Sequence, residues 1–422
     1  MTTPQIIALV IFAVTMLAIM TEKIHRTVAA ITGAILLVLT GILTIESSFT
    51  YVDINTLGVL IGMMIFVTIV KDSGLFEYIA ILSAKLARGK PWAIMSMFMV
   101  ITAVLSAFLD NVTTVLLIGP MTLAITSMLK VNPVPFFMTQ ILASNIGGTA
   151  TLIGDPPNIM IGSAAGLSFM DFVCNTGPAV ILVMAATILC FYYIYGRKLS
   201  ADEDSIRVVM ALDEKKAIKD KALLIKSVVM IGFVVLGFVF HSQLHLESCT
   251  IALTAAVVML LIGKQELEET IAGVEWTTII FFTGLFIVVG GLQETGLIQI
   301  LADLLMEATS GRLALTLIIV LWVSALVSSF LDNIPFVATL IPLILTMESS
   351  GMDVTPLWWA VSLGACLGGN GTLIGASANV VLSGISNKHG YPITFASYFK
   401  VGFPMMLVSV IISTIYLLIR YA

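Results

Sequence analysis

Hydrophobic residues follow one another along this chain in long blocks that short polar segments separate. Ten blocks are long enough to cross, or nearly cross, a hydrocarbon core of roughly 30 Å as helices. They lie at residues 5–21, 27–45, 55–71, 135–165, 178–196, 223–241, 249–263, 276–293, 357–385 and 401–420. Since helices satisfy their own backbone hydrogen bonds in lipid, the pattern predicts an all-α polytopic membrane protein.

Two further apolar segments are each divided by a short polar tip. Segment 92–129 is interrupted at Leu109–Thr114, and segment 312–347 is interrupted at Leu331–Pro335. Each arm has about 17 residues, which is marginal for a complete crossing. We therefore expect two re-entrant hairpins that enter and leave the membrane by the same face.

Two of the ten blocks carry helix-breaking residues in their middle. Block 135–165 contains SNIGGTATLIGDPPN from Ser144 to Asn158, and block 357–385 contains the similar GGNGTLIGASAN. Paired glycines lower helix propensity, and Pro156-Pro157 removes two backbone donors. Unwound backbone inside a membrane is tolerated only where it is buried in protein or lines a cavity. The pattern predicts two broken helices of the kind that hold substrates and coupling ions in secondary transporters.

The two halves of the chain align at a constant offset, which places Asp110 on Asp332. Phe108–Asn111 falls on Phe330–Asn333, and after the loss of one residue 147–158 falls on 368–379 with seven identities in twelve. Five crossings per unit is an odd number, so the units must be inverted relative to each other. We predict inverted repeats at 1–196 and 223–422, each with one hairpin and one broken helix, joined by a cytoplasmic linker at 197–222.

The basic residues predict the orientation of these spans. Ten crossings put both termini on the same side, and if that side is outside, 18 of the 20 lysines and arginines fall in cytoplasmic loops. Only Arg312 and Arg420 then lie outside. The charge pattern therefore predicts a multi-pass protein of the cell membrane with external termini.

Composition excludes several other classes of protein. The chain has 422 residues, of which 59% are hydrophobic and 11% charged, and its net charge is −5. Soluble proteins carry roughly 25% charged residues, and this charge gives no reason to expect a nucleic-acid partner. The four scattered cysteines suggest neither a disulfide framework nor a zinc site. Since no nucleotide-binding or hydrolase motif is present, we expect neither an enzyme nor a bound cofactor.

Three aspartates inside the apolar segments are the main candidates for chemistry. Asp110 and Asp332 lie at the hairpin tips, and Asp155 lies in the first broken helix. A carboxylate near the bilayer centre costs several kcal/mol unless it is paired, neutralised or hydrated. With no lysine or arginine expected inside the spans, these groups either cap a helix or take up a proton or cation.

Neutral polar residues and glycines beside the predicted breaks complete the candidate site. Half-helix N-termini favour an anion there, and unwound carbonyls favour Na⁺. A Na⁺ site is expected near Asp110, Asn111, Asp332 and Asn333. The full set predicted to bind substrate or ion is Asp110, Asn111, Thr113, Asn145, Gly148, Thr149, Thr151, Asp155, Asn158, Asp332, Asn333, Gly369, Asn370, Thr372, Ser377 and Asn379.

The motifs SNIGGTATLIGDPPN, FLDNVTTVLL and FLDNIPF resemble the family of arsenical-pump membrane proteins, NhaD-type sodium/proton antiporters and the pigmentation P protein. That family belongs to the ion transporter superfamily, with citrate and dicarboxylate carriers. The resemblance spans nearly the whole chain and implies a scaffold and an elevator-type transport domain, commonly in a homodimer. It also implies a site built from both tips and both broken helices. Both tips carry Leu-Asp-Asn where dicarboxylate carriers have Ser-Asn-Thr.

The leading interpretation is a secondary active transporter of a small inorganic ion coupled to H⁺ or Na⁺. The resemblance favours arsenite/antimonite-type efflux, whereas the carboxylates favour Na⁺(Li⁺)/H⁺ antiport of the NhaD type. Transport of a citrate-like anion is a further alternative, and a passive channel or an intramembrane aspartyl protease is more distant. The expected partners are the lipid bilayer, the transported ion and a second copy of the chain, with a cytoplasmic accessory ATPase left open.

Overall fold

The computed structural model describes residues 1–21, 23–309 and 312–421, which form helices and no strand. The helices of the first half are α1 (Thr3–Thr21), α2 (Arg26–Leu39), α3 (Ile45–Thr50), α4 (Ile54–Asp72), α5 (Leu75–Leu86), α6 (Pro91–Phe108), α7 (Asn111–Met128), α8 (Val134–Gly148), α9 (Pro156–Ala165), α10 (Phe169–Asn175) and α11 (Gly177–Ile194). The linker contains α12 (Glu203–Met210) and two 3₁₀ turns at Gly196–Lys198 and Glu214–Ala217. The second half contains α13 (Lys221–Phe240), α14 (Ser248–Gly263), α15 (Leu267–Ala272), α16 (Trp276–Glu294), α17 (Leu297–Thr309), α18 (Leu313–Phe330), α19 (Asn333–Ser349), α20 (Thr355–Gly368), α21 (Ser377–Lys388) and α22 (Phe395–Tyr421).

Nine helices in the described part of the chain are long and apolar enough to cross a membrane. They are α1, α4, α6, α7, α11, α13, α16, α18 and α22. Their outward faces carry large apolar side chains, such as Leu17 on α1 and Phe233 on α13. A hydrophobic surface of this extent requires lipid around it. The predicted class, an all-α multi-pass membrane protein, is therefore confirmed.

One group of helices is held together by small residues. α4 packs on α14, and α16 packs on α2. An ideal Cβ at Gly62 would lie 2.5 Å from the backbone of Ala252, and one at Gly284 would lie 2.9 Å from the backbone of Ala30. Glycine and alanine let helix backbones approach this closely in membranes. The two contacts are related by the offset of the sequence repeat, since Gly62 corresponds to Gly284 and Ala30 corresponds to Ala252.

A second group contains the two hairpins and the two broken helices. α6 packs on α8, and α18 packs on α20. Here an ideal Cβ at Gly147 would lie 2.1 Å from Ala103 O, and one at Gly368 would lie 2.6 Å from Ala325 O. The first arm of each hairpin is therefore in backbone contact with the broken helix of its own half. The inverted relation between the halves stays a prediction.

The helices are interrupted where local chemistry disfavours their continuation. Between α6 and α7, Leu109 and Asp110 have extended backbone. Between α8 and α9 the chain is non-helical from Thr149 to Asp155, and α9 then starts at Pro156, whose ring suits the first turn. Asn145, which lies in the motif expected to unwind, is instead in the last turn of α8. Its side chain nevertheless donates to Asn370 and Asn379 of the other half.

The linker lies against α5. Lys85 Nζ is 2.6 Å from Glu214 Oε2, and Lys219 Nζ is 3.2 Å from Glu77 Oε1. The backbone N–H of Lys219 also donates to Ser73 O at 3.1 Å. These contacts fasten the connection between the halves to the first half.

Candidate functional site

The two hairpin tips and the first broken helix meet around a small cavity. The cavity has a volume of about 20 Å³, and its polar lining includes Asp110, Asn111, Asp155, Asn333 and Ser377. This volume is close to that of one water-sized probe. The space therefore suits a proton-carrying water or a single small ion.

Asp110 caps the second arm of the first hairpin. Its carboxylate accepts the backbone N–H of Thr113 at 2.9 Å and also the Thr113 hydroxyl. The capping alternative raised by the sequence is thus realised at this residue. Because the carboxylate also borders the cavity, capping does not exclude contact with an ion.

Asp155 does not cap the helix that follows it, so that alternative is wrong. It stands at the N-cap position of α9, but its side chain makes no capping hydrogen bond within the described structure. Asn333 Nδ2 is instead 3.2 Å from each of its two carboxylate oxygens. Asp155 is completely buried. The second hairpin tip therefore supplies the partner of a carboxylate from the first half.

Asp332 has a cationic partner, which corrects the expectation that no arginine reaches the site. Arg26 Nη1 is 3.0 Å from Asp332 Oδ2 and donates to Ser377 Oγ at 2.6 Å. Ser377 Oγ in turn donates to Asp332 Oδ2 at 2.9 Å. Arg26 directly precedes the predicted span 27–45, so the sequence predicts a loop position for it. The fold brings it to the site across 306 residues of sequence.

A cluster of buried asparagines joins the two halves at the site. Asn111 Nδ2 donates to Asn145 Oδ1 at 3.2 Å, and Asn145 Nδ2 is 2.9 Å from both Asn370 Oδ1 and Asn379 Oδ1. All four side chains are buried. Since buried polar groups are costly unless hydrogen-bonded, the cluster fixes the tip and both breaks relative to one another.

Two asparagines hold the unwound backbone of the breaks. Asn158 Nδ2 lies 3.2 Å from Gly148 O, 3.4 Å from Thr149 O and 2.9 Å from Thr151 O. Asn379 Nδ2 bonds to the carbonyl oxygens of the second break in the same way, Gly369 O at 2.7 Å and Thr372 O at 2.9 Å. These amides position the breaks because their donors are already occupied by backbone.

The threonines of the breaks tie them to the hairpins. Thr151 Oγ1 donates to Ala107 O, and Thr372 Oγ1 donates to Ser329 O. Thr149, which directly follows α8, donates its Oγ1 hydroxyl to Asn145 O in the last turn of that helix at 2.7 Å. Five of the predicted residues line the small cavity, whereas others have side chains that bond to backbone instead, namely Thr149, Thr151, Asn158, Thr372 and Asn379.

Several residues at the site were missed by the sequence analysis. Besides Arg26, the cavity is lined by Leu60 and Met64 of α4 and by Glu275 and Thr278 at the start of α16. They lie on helices outside the tips and breaks, and their local sequence contains no distinguishing signal. Ser362 of α20 was not predicted either, and it donates to Asn158 Oδ1 at 2.7 Å. Cys366, the one cysteine that the sequence places near the site, lies 3.7 Å from the same oxygen.

A larger cavity adjoins the small one on the side of Arg26. Its volume is about 370 Å³, and Arg26, Asp332 and Ser377 form its polar lining together with His25. The remaining lining is mostly apolar, including Ile19, Phe330 and Val380. Arg26 and Ser377, which line both cavities, therefore stand between the small cavity and the larger space, and Asp332 borders the larger space.

Among the described residues, no three histidine, cysteine, aspartate or glutamate side chains are grouped so that they could hold a metal ion. The Na⁺ site expected near both tips would include Asp110, Asn111 and Asn333, which share the small cavity. Asp332, the fourth predicted member, is held by Arg26. Any ion in the small cavity would be coordinated by amide or carbonyl oxygens beside the carboxylates.

Comparison of the sequence with known proteins finds a transporter family and relatives, some of them named as transporters. The model of the citrate transporter family (CitMHS) matches residues 16–364. An uncharacterized transporter of Mycobacterium bovis is 41% identical over 424 residues, which cover 99% of each chain. The P protein of Homo sapiens is 35% identical over 501 residues, covering 98% of this chain and 60% of the P protein. The family resemblance noted from the motifs is confirmed.

Comparison of the structure with solved structures identifies two transporters. The YdaH transporter of Alcanivorax borkumensis superposes with a TM-score of 0.61 at 13% identity, covering 99% of this chain and 98% of that chain. MtrF of Neisseria gonorrhoeae, described within a class of antimetabolite efflux pumps, superposes with a TM-score of 0.60 at 13% identity, covering 99% and 95%. At this identity the likeness shows the fold alone.

Proposed function

Because this chain belongs to the citrate transporter family and is a membrane transporter, we propose that it is a secondary active antiporter that exchanges Na⁺ or Li⁺ for H⁺. A transporter was predicted, and the family confirms it in place of an enzyme. The observation that carries the proposal is the meeting of Asp110 and Asp155 with Asn111 and Asn333 around a cavity of about 20 Å³.

The charges around the cavity favour a cation. Asp110, Asp155 and Glu275 line it, whereas the single arginine in its lining, Arg26, is already paired with Asp332. Uncompensated carboxylates raise the local concentration of cations and repel anions. A tricarboxylate such as citrate would also need more space than the cavity has.

The same charges supply a reason for obligatory exchange. Moving an ionised, unpaired carboxylate through the membrane costs several kcal/mol. Asp110 and Asp155 can be neutralised either by protons or by a metal cation, and the site moves readily only when one of these is bound. Return without a bound ion is slow, so that one ion leaves only when the other replaces it.

The packing of the helices supports a division of labour. We propose that α2, α4, α14 and α16 form the scaffold and that the hairpins and broken helices form an elevator-type transport domain. In this scheme the halves are inverted repeats, the functional unit is a homodimer in the cell membrane, and both termini are outside.

Efflux of arsenite or antimonite is the second candidate. The buried Cys366 thiol lies 3.7 Å from Asn158 Oδ1, which places one soft ligand beside the first break. Neutral arsenite could be bound by amides without any charge. The central amides are hydrogen-bonded to one another, however, and this ranks arsenite behind the cations.

The proposal is tested with purified protein in liposomes that contain a pH-sensitive dye. Outward gradients of Na⁺, Li⁺, K⁺, arsenite and citrate are imposed separately. We expect proton movement with Na⁺ or Li⁺, and we expect Asp110→Asn and Asp155→Asn to abolish it. Asp303→Asn, which changes an exposed carboxylate on α17, is the matched control and should transport normally.

The alternative outcomes each have a meaning. Proton movement driven only by arsenite would replace the proposal with the second candidate, and movement driven only by citrate would make the protein a carboxylate transporter. Unchanged Na⁺-driven exchange by both Asp→Asn variants would show that these carboxylates are not the carriers.

A further inference from the structure

We infer that Asp332 is a binding site for the transported monovalent cation and that the guanidinium of Arg26 is a built-in competitor for it. Arg26 would thereby set the apparent affinity of the transporter for its cation. The inference rests on the proposed cation exchange and adds to it a carboxylate and a residue that determines affinity.

The hydrogen bonds around Asp332 form a closed triangle. Arg26 Nη1 donates to Asp332 Oδ2 at 3.0 Å and to Ser377 Oγ at 2.6 Å, and Ser377 Oγ donates to the same carboxylate oxygen at 2.9 Å. Only Oδ1 remains outside the triangle, and it accepts the backbone N–H of Ile334 at 3.2 Å. A cation can bind this carboxylate strongly only by displacing the guanidinium.

Arg26 has other contacts that can hold it after displacement. Its Nη2 lies 3.4 Å from Thr278 Oγ1, and its guanidinium carbon lies 5.1 Å from the centre of the Phe281 ring. Thr278 and Phe281 both belong to α16, and an aromatic face stabilises a nearby cation. The guanidinium can therefore stay bound to Thr278 and Phe281 of α16 while the carboxylate of Asp332 binds an ion.

The pair is accessible enough to open. The side chain of Arg26 is 29% exposed and that of Asp332 is 14% exposed, and both border the cavity of about 370 Å³. Partly exposed ion pairs are weak, because water competes for both charges. Separating a fully buried pair would instead leave an uncompensated charge and would be much more costly.

The two hairpin tips differ, and the difference assigns the competition between arginine and cation to the tip that carries Asp332. At the offset of the repeat Arg26 corresponds to Ser248, and among the described residues the tip aspartate that pairs with an arginine is Asp332. Asp110 accepts the hydroxyl of Thr113, whereas Pro335 stands at the corresponding place after Asp332. Asp332 therefore depends on Arg26 and Ser377 for its compensation, and it becomes a free cation ligand when Arg26 leaves.

The test measures the Na⁺ concentration that gives half-maximal proton exchange. We expect Arg26→Gln to lower it by about fivefold, the scale of a partly exposed ion pair. Arg26→Lys, which keeps a positive charge, should lower it less. Arg207→Gln, in the exposed part of the linker, is the control for loss of an arginine that lines neither cavity. In an Asp332→Asn background, Arg26→Gln should have no further effect.

A binding measurement separates this inference from the proposed function. The melting temperature of the purified protein is measured at increasing NaCl concentrations, with choline chloride as the control salt. The NaCl concentration that gives half of the rise in melting temperature, the midpoint, should be lower in Arg26→Gln than in the wild type. A shifted midpoint without any Na⁺-driven flux in the wild type would overturn the antiport and leave the competitor in place. If Arg26→Gln folds poorly, Ser377→Ala loosens the same triangle and is expected to lower the midpoint as well.

Two results would overturn the inference while the antiport stands. An unchanged half-saturating Na⁺ concentration in Arg26→Gln would show that the guanidinium and the cation do not share Asp332. A raised concentration would show that Arg26 supports cation binding rather than opposing it.

Discussion

Replacing Gly147 by alanine tests whether close contact between α6 and α8 positions the site. An ideal Cβ at Gly147 would lie 2.1 Å from Ala103 O, 2.4 Å from Ala103 Cα and 2.6 Å from Ala103 C. All three are backbone atoms, so no side-chain rotation can relieve the contact. Ordinary contacts of a Cβ begin at 3.4 Å, and the helices must therefore move apart until that distance is restored.

The size of the effect follows from this displacement. Overpacking in a well-packed interior costs roughly 1–3 kcal/mol, and the better helix propensity of alanine offsets about 1 kcal/mol of it. The hydrogen bond between Asn111 and Asn145 is 3.2 Å long and connects the tip after α6 with α8. Because this bond is already at the long end of the ordinary range, the separation of the two helices breaks it. We expect destabilisation by about 2 kcal/mol together with a severe loss of exchange.

The assay combines thermal unfolding of the detergent-purified protein with Na⁺-driven proton flux in liposomes. Gly368→Ala, which meets Ala325 O at 2.6 Å in the second half, should behave similarly. Gly232→Ala on α13 is the matched control, because no described heavy atom lies within 4 Å of its ideal Cβ. A wild-type melting temperature and flux in Gly147→Ala would refute the argument that this contact positions the tip.

Three further predictions concern individual hydrogen bonds. Asn145→Ala removes the amide that joins the other buried asparagines, and should lower stability by about 3 kcal/mol; a melting temperature within one degree of wild type would contradict this. Thr151→Val loses the bond to Ala107 O and should cost about 1 kcal/mol, measured in the same way. The hydrogen bond from Lys85 holds the pKa of Glu214 below its ordinary value, so this contact is present at neutral pH and is lost as the pH falls through that lowered pKa. Proteolysis of the linker should therefore increase at acidic pH in the wild type, whereas Glu214→Gln should be cut readily at every pH. If the wild type and Glu214→Gln were cut equally at every pH, the linker would be held by other contacts.

Much of the architecture could be predicted because it depends on local chemistry. The apolar blocks predict membrane helices from length alone, and the family confirms that the chain is a transporter. The structure ends α6 at Phe108 and starts α9 at Pro156, since an Asp-Asn pair caps a new helix and proline suits a first turn. Signals of this kind are contained in a few neighbouring residues.

The partners of the carboxylates could not be predicted because they come from distant parts of the chain. Asp155 is bonded by Asn333, which lies 178 residues away, and no local rule distinguishes that arrangement from a helix cap. Arg26 has the sequence position of an ordinary loop arginine, and the packing of both α2 and α19 on α16 brings it to Asp332. The substrate is not encoded locally either, since carboxylates and amides suit protons, metal cations and neutral oxyacids alike.

The small cavity has an apolar wall on α4, whereas Asn145, Asn158 and Asn379 lie outside its lining, and this division has a consequence for how the protein can evolve. Asn145, Asn158 and Asn379 each hold several groups at once, so that a change at any of them disturbs both halves together. Leu60 and Met64 contribute only apolar surface from α4, and their side chains can be exchanged without leaving a buried polar group unpaired. Lineages that acquire a new ion preference should therefore accumulate their substitutions on the α4 wall, while the asparagine framework stays the same.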